Sequence, residues 1–77
     1  MKLTKLQGRY VAFIYSYTKL NRRPPAERDI ENYFRTTPPS VHDMILRLEE
    51  LGAIEREPGV ARSIRVLLPP DEIPPLD

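Results

Sequence analysis

Residues 36–55, TTPPSVHDMILRLEELGAIE, decide the fold because they contain a complete helix with both of its boundaries. Thr37 precedes a proline pair, which is typical of an N-cap followed by the first helical turn. Gly52 is placed to end the helix in a left-handed conformation. Between them, apolar side chains recur at helical spacing: Val41, Met44, Ile45, Leu48 and Leu51. We therefore predict a helix over about residues 38–51 with one buried face.

After this helix the apolar period changes from that of a helix to that of a strand. Residues 63–68 alternate and are rich in β-branched side chains, and residues 53–57 can form their partner strand. Pro58 and Gly59 predict the turn between them. The sequence therefore predicts a β-hairpin directly after the helix.

The proline pairs at 24–25 and 38–39 mark off two further helical segments, which precede this helix. The first runs from Thr4 to about Leu20, with Thr4 and Gln7 at capping-box spacing. Its apolar stripe consists of Leu6, Tyr10, Phe13, Ile14 and Tyr17. The second is a short helix over residues 26–34.

The order of elements predicts a three-helix winged helix-turn-helix, mostly α with a small β-hairpin. This domain is expected to cover residues 1–68. Residues 69–77 contain four prolines and three acidic residues. We expect them to form an extended, disordered Pro-rich acidic tail, because such a composition buries little apolar area.

The composition excludes several classes of function. The chain has 77 residues, no cysteine and one histidine, His42, so disulfides, thiolate or histidine-rich metal sites and a cysteine nucleophile are excluded. We expect no enzymatic activity, no cofactor and no small-molecule ligand. No run approaches the roughly 20 apolar residues that span a membrane, and no signal-peptide pattern opens the chain. The sequence therefore predicts a cytoplasmic protein.

The charge is unevenly distributed although its total is only +1. Residues 1–23 carry six basic and no acidic side chains, and residues 1–68 together have a net charge of +4. This favours double-stranded DNA as the partner. The alternative is a winged-helix protein–protein interaction module without DNA binding, which the near-neutral total charge favours.

Four segments resemble the amino-terminal DNA-binding domain of the LexA repressor family. They are LTKLQ at 3–7, PPAERDI at 24–30, LEELGAIE at 48–55 and SIRVL at 63–67. The resemblance covers about residues 3–68. It implies a small bacterial transcription regulator, a repressor, with the third helix in the major groove of DNA.

Two departures limit what the resemblance implies. Repressors of that family continue into a self-cleaving serine-lysine peptidase domain that also dimerises, whereas this sequence ends at Asp77. Autocleavage is therefore not expected. The family reads its operator with an asparagine and two acidic residues early in the third helix, and the matching positions here are Pro39, His42 and Asp43. We therefore do not expect the family's operator to be recognised.

The candidate base-reading residues lie off the buried stripe of the third helix. In a helix-turn-helix, the first turns of this helix meet base edges. The candidates are Thr36, Thr37, Ser40, His42, Asp43 and Arg47. Leu46 is a further candidate, for contact with a thymine methyl group. The alternative is a solvated helix face.

The candidate phosphate contacts are arginines. Arg62 is expected at the tip of the wing, where it would reach a phosphate or the minor groove, with support from Arg56 and Arg65 on the strands. Near the start of the second helix, a cluster of arginines is expected to clamp phosphate: Arg22, Arg23 and Arg28. Alternatively, Arg28 pairs with a glutamate on its own helix, and the wing arginines only keep the hairpin soluble.

A possible homodimer contact is the pair Val11 and Tyr15. They are four residues apart in the first helix and are expected to lie opposite its core stripe. A single winged helix covers half of a typical operator, so a second copy is a natural partner.

Overall fold

The computed structural model describes residues 1–76 as three helices, a two-stranded hairpin and a short terminal segment. The elements are α1 (Lys5–Asn21), α2 (Glu27–Phe34), α3 (Pro38–Glu50), β1 (Ile54–Glu55), β2 (Arg65–Val66) and a 3-10 turn (Pro70–Glu72). This order confirms the predicted winged helix-turn-helix. The predicted helices match within about two residues, whereas the strands are shorter than predicted.

Side-chain caps fix where α1 and α3 begin. Thr4 accepts a hydrogen bond from the Gln7 N–H at 3.1 Å, and the Gln7 side chain accepts one from the Thr4 N–H at 2.9 Å. Thr37 caps α3 by accepting from the Ser40 N–H. At the other end of α3, Gly52 has a φ of 78°. These signals confirm the boundaries that the sequence predicted.

The core lies between the three helices and the hairpin. In α3, Val41, Ile45 and Leu48 are fully buried, as their spacing predicts. The remaining core residues come from α1, α2, β1 and the residues that precede the two strands: Tyr10, Val11, Ala12, Phe13, Ile14, Ile30, Ala53, Ile54 and Ile64.

The sequence prediction for α1 needs two corrections. Leu6 was expected in the buried stripe but is 47% exposed. Val11 was expected on the outside as a dimer contact, yet it is completely buried. The reason is that α1 contacts both α2 and β2, so the helix is covered on more than one side. Val11 is therefore a core residue and not a surface for a second copy.

Aromatic rings join α1 to α2. Tyr10 stacks on Phe34 with ring centroids 4.3 Å apart, and Phe13 lies against Tyr33 at 4.4 Å. The Arg9 guanidinium lies 5.2 Å from the centroid of the Phe34 ring. Such pairs add to the stabilisation from buried area and fix the angle between the two helices.

The wing is a short hairpin whose loop is held by one hydroxyl. Ile54 pairs with Val66, and Glu55 pairs with Arg65, in antiparallel register. The Ser63 hydroxyl accepts from the Glu57 N–H at 3.0 Å and lies 2.9 Å from the Val60 carbonyl oxygen. The loop between the strands therefore has its own internal hydrogen bonds.

An ion pair between Asp29 and Arg62 ties the wing to the helices. Arg62 Nη1 lies 3.0 Å from Asp29 Oδ2, 3.2 Å from the Pro24 carbonyl oxygen and 3.2 Å from the Tyr17 hydroxyl. The same Asp29 oxygen accepts from the Ala26 N–H at 2.8 Å. This group of contacts, the Asp29–Arg62 junction, joins the end of α1, the loop, the start of α2 and the wing.

The terminal segment packs against the domain, whereas the sequence predicted an extended, disordered tail. Residues 70–72 form a 3-10 turn, and Ile73 and Leu76 pack against the core cluster. Pro74 approaches α1 so closely that a Cβ atom added to Gly8 would lie 3.1 Å from its Cγ. The two apolar side chains among the prolines provide the burial that the composition did not indicate. Asp77, the last residue of the predicted tail, lies outside the described residues.

We expect Asp29→Asn to lower stability at neutral pH and much less in acid. The hydrogen bond from the Ala26 N–H, and secondarily the charge of Arg62, hold the pKa of Asp29 below its usual value, against the opposing effect of burial. A lowered carboxylate pKa stabilises the fold above the unfolded-state pKa of about 3.9, and this contribution is lost as the pH falls through the folded-state pKa. Urea unfolding at pH 7 should show a loss of about 1.5–3 kcal/mol. Asp43→Asn, at an exposed aspartate, is the control, and an equal deficit for Asp29→Asn at pH 7 and pH 2 would contradict this role.

Removal of residues 69–77 should destabilise the domain without abolishing its fold. Two half-buried apolar side chains leave, which together correspond to roughly 1.5–3 kcal/mol of burial. Gly8→Ala provides the matched test, because alanine favours a helix by about 1 kcal/mol over glycine. We expect this gain in the truncated chain but not in the full chain, where Pro74 crowds the new methyl group. Equal gains in both chains, measured by urea unfolding, would show that Pro74 does not limit this position.

Candidate nucleic-acid interface

The exposed side of α3 carries the candidate base-reading residues. Ser40, His42, Asp43 and Arg47 are all exposed, because Val41, Ile45 and Leu48 point into the core from the opposite side. The N-cap Thr37 is also exposed, whereas Thr36 is half-buried. The helix therefore presents an exposed, mostly polar surface formed by these side chains, which we call the α3 face. Leu46 is 40% exposed beside it.

Two hydroxyl groups are linked at the start of the α3 face. Thr37 Oγ1 donates to Ser40 Oγ at 2.9 Å while it accepts from the Ser40 N–H at 3.4 Å. The Thr37 proton is thus used within the helix start. The Ser40 hydroxyl keeps its own proton to donate, so it can serve a base or phosphate acceptor.

His42 and Arg47 on the α3 face each have an acidic neighbour. His42 Nδ1 lies 3.5 Å from Glu27 Oε1 at the start of α2, and Arg47 lies 3.8 Å from Glu50 on its own helix. Both members of the Arg47–Glu50 pair are mostly exposed, so this pair contributes little stability and is readily exchanged for another acceptor. Sequence reasoning missed Glu27, because no local pattern relates two residues on different helices.

The wing arginines are all bound to carboxylates. Arg56 lies 3.0 Å from Glu49 at the end of α3, and Arg65 pairs with the cross-strand Glu55. Arg62 turns inward to the Asp29–Arg62 junction, unlike the expected projection toward DNA. Its contacts lie 33 to 45 residues away in the sequence, which is why local spacing did not indicate them.

Unlike the wing arginines, three arginines in the α1–α2 loop and at the start of α2 have no carboxylate partner among residues 1–76. Arg22, Arg23 and Arg28 are exposed and have no ion pair within residues 1–76. Arg22 adopts a left-handed conformation with φ 56° as the C-cap of α1. Sequence reasoning passed over Arg35, which is also exposed and left-handed, at the turn between α2 and α3. Its position in the short turn two residues before the α3 N-cap was the available signal.

The remaining candidates do not form a site. Tyr15, proposed for a dimer contact, is half-buried, and Lys19 Nζ lies over its ring, 5.4 Å from the ring centroid.

Among the described residues, no group of three or more histidine or acidic side chains could hold a metal ion. In the same part of the chain, no helix is both long enough and apolar enough to cross a membrane.

Comparison with known proteins identifies the family. A family model described as the LexA DNA binding domain matches residues 1–63. The LexA repressor of Thermosipho africanus is 38% identical over 72 residues, which is 94% of this chain and 36% of that protein. The LexA repressor of Petrotoga mobilis is 37% identical over 73 residues, 94% of this chain and 35% of that protein. The chain thus spans about a third of the length of these curated relatives. Because the family model covers most of the chain and the fold agrees with it, this chain belongs to the LexA DNA-binding domain family.

Proposed function

We propose that this chain binds double-stranded DNA sequence-specifically, as the DNA-binding domain of a transcription repressor. The observation that carries the proposal is the α3 face, an exposed and mostly polar surface on the third helix of a winged helix-turn-helix. Membership of the LexA DNA-binding domain family supports it. The alternative, an interaction module without DNA binding, receives no support from the family.

In this proposal α3 enters the major groove and reads base edges. Ser40 donates a hydrogen bond, and Arg47 exchanges Glu50 for guanine, the most frequent specific partner of arginine. Asp43 accepts from the amino group of cytosine, because elsewhere its charge would repel the backbone. Thr36 and Thr37 orient the start of the helix.

In this proposal, DNA affinity comes from arginines in the loops and at the helix ends. Arg22, Arg23 and Arg28 lie around the start of α2, and Arg35 lies at the turn before α3. Side chains without a competing carboxylate can take phosphate oxygens at low cost. We propose these four arginines as the main phosphate contacts, with the wing in a secondary role.

Two copies bind a two-fold symmetric operator in this proposal. One recognition helix reads one half-site, and half-sites of such dimers lie about 10 base pairs apart or at multiples of this spacing. The interface between the two copies does not use Val11, which is buried.

Since the proposed target is chromosomal DNA, we also propose that the protein is cytoplasmic and that it binds DNA without catalysing a reaction.

We expect the salt dependence of DNA binding to locate the phosphate contacts. Changing Arg23 to glutamine should weaken binding about equally on all duplexes and reduce the slope of log affinity against log salt by roughly one. The matched control is Arg65→Gln, an exposed wing arginine already paired with Glu55. Fluorescence anisotropy at four salt concentrations measures both slopes. If Arg65→Gln reduces the slope as much as Arg23→Gln, the wing contacts the DNA backbone as much as the loop does, which contradicts its secondary role.

We expect changes on the α3 face to affect specificity. Ser40→Ala or Arg47→Ala should cost about 1–3 kcal/mol on a duplex selected from a randomised library, with little effect on a scrambled duplex. The control is Glu57→Gln, an exposed charge on the wing. An unchanged preference between the two duplexes in both α3 variants would show that this face does not read bases.

A further inference from the structure

One contact connects the α3 face to a different helix. His42 Nδ1 lies 3.5 Å from Glu27 Oε1, and their side chains are 49% and 34% exposed. His42 projects from the second turn of α3, and Glu27 is the first residue of α2. The imidazole thus has one nitrogen beside a carboxylate while about half of its side-chain surface remains accessible to a ligand.

The position of the carboxylate affects which nitrogen carries the proton. A neutral imidazole has one N–H donor and one lone-pair acceptor, and a carboxylate can only accept. A proton on Nδ1 therefore lies within electrostatic reach of an acceptor, at a distance longer than an ordinary hydrogen bond, whereas a lone pair on Nδ1 would lie beside a negative charge. Glu27 thus favours the Nδ1–H form, in which Nε2 is an acceptor.

We infer that Glu27 is a positioning residue that makes the neutral His42 a hydrogen-bond acceptor toward DNA, so that His42 selects adenine or cytosine and rejects guanine. In the major groove, adenine N6 and cytosine N4 are donors, whereas guanine presents the acceptors N7 and O6. The inference rests on the proposed placement of α3 in the major groove. In this inference, Glu27 of α2 sets the base preference of His42 on α3, although Glu27 itself does not contact the base.

Protonation reverses the preference, because the imidazolium donates from both nitrogens and then suits guanine. The charged groups around His42 are few. Its α3 neighbours one turn away are all uncharged: Pro38, Pro39, Ile45 and Leu46. Asp43 is adjacent in sequence and exposed. From the wing, Arg56 and Arg62 line the same cleft as Glu27, but they are bound to Glu49 and Asp29 respectively. The facing charge from α2 is therefore that of Glu27.

The tautomer can be measured directly because His42 is the single histidine of the chain. Long-range 15N–1H correlation spectra of the free protein at pH 8 should show the Nδ1–H form as the major species. In Glu27→Ala the population should move toward the Nε2–H form, which histidine favours in water. Glu31→Ala, which removes the same charge one turn further along α2, is the matched control and should leave the spectrum unchanged. A wild-type spectrum dominated by Nε2–H overturns the inference.

The DNA experiment uses randomised duplexes at pH 8. The wild type should prefer adenine or cytosine over guanine at one position by about fivefold or more, and Glu27→Ala should lose most of this ratio. His42→Ala, which lacks the imidazole, should show no such preference at that position. An unchanged ratio in Glu27→Ala overturns the inference while sequence-specific binding stands. Absence of any sequence preference in the wild type overturns the proposed function, and the base-reading role of His42 with it.

Discussion

The arrangement of the DNA-facing elements depends on the carboxylate of Asp29. It closes the first turn of α2 through the Ala26 N–H and holds Arg62, whose guanidinium also contacts the Pro24 carbonyl and the Tyr17 hydroxyl. These partners belong to α1, the loop, α2 and the wing. Because α3 packs against α2, this ion pair and the Arg56–Glu49 pair between the wing and α3 together hold the wing and the α3 face in a fixed relation. An arginine that would suit a phosphate contact therefore serves the architecture.

Features with local causes could be predicted from the sequence. The caps at Thr4 and Thr37 and the end of α3 at Gly52 each depend on residues within four positions, and the structure has all three. The errors concern contacts between distant segments. Val11 is buried because other elements cover α1 from a second side, and Arg62 turns inward because its acceptors lie 33 to 45 residues earlier. Helical periodicity describes one face at a time and carries no information on such neighbours.

Charge pairing separates two groups of arginines that composition alone treats as one. Those of the wing face carboxylates, at Glu49, Asp29 and Glu55, and thereby stabilise the hairpin. Those of the loop and the helix ends face solvent. The terminal segment also brings acidic side chains near basic ones, since Asp71 and Glu72 line the same groove as Lys5 and Arg9. A near-zero total charge is thus compatible with a locally positive surface, because the acids lie mainly beside structural or peripheral bases.

Within residues 1–76, the three left-handed residues other than glycine are all arginines: Arg22, Arg35 and Arg62. This conformation costs an ordinary side chain roughly 1–2 kcal/mol relative to glycine. At these positions the chain tolerates a less favourable backbone in order to carry a cation. A protein engineer who ranked substitutions by folding stability alone would replace Arg22 and Arg35 with glycine first. The resulting protein would fold better and would have lost charge at the ends of α1 and α2. For the phosphate contacts proposed at these two positions, selection for stability and selection for DNA affinity therefore act in opposite directions.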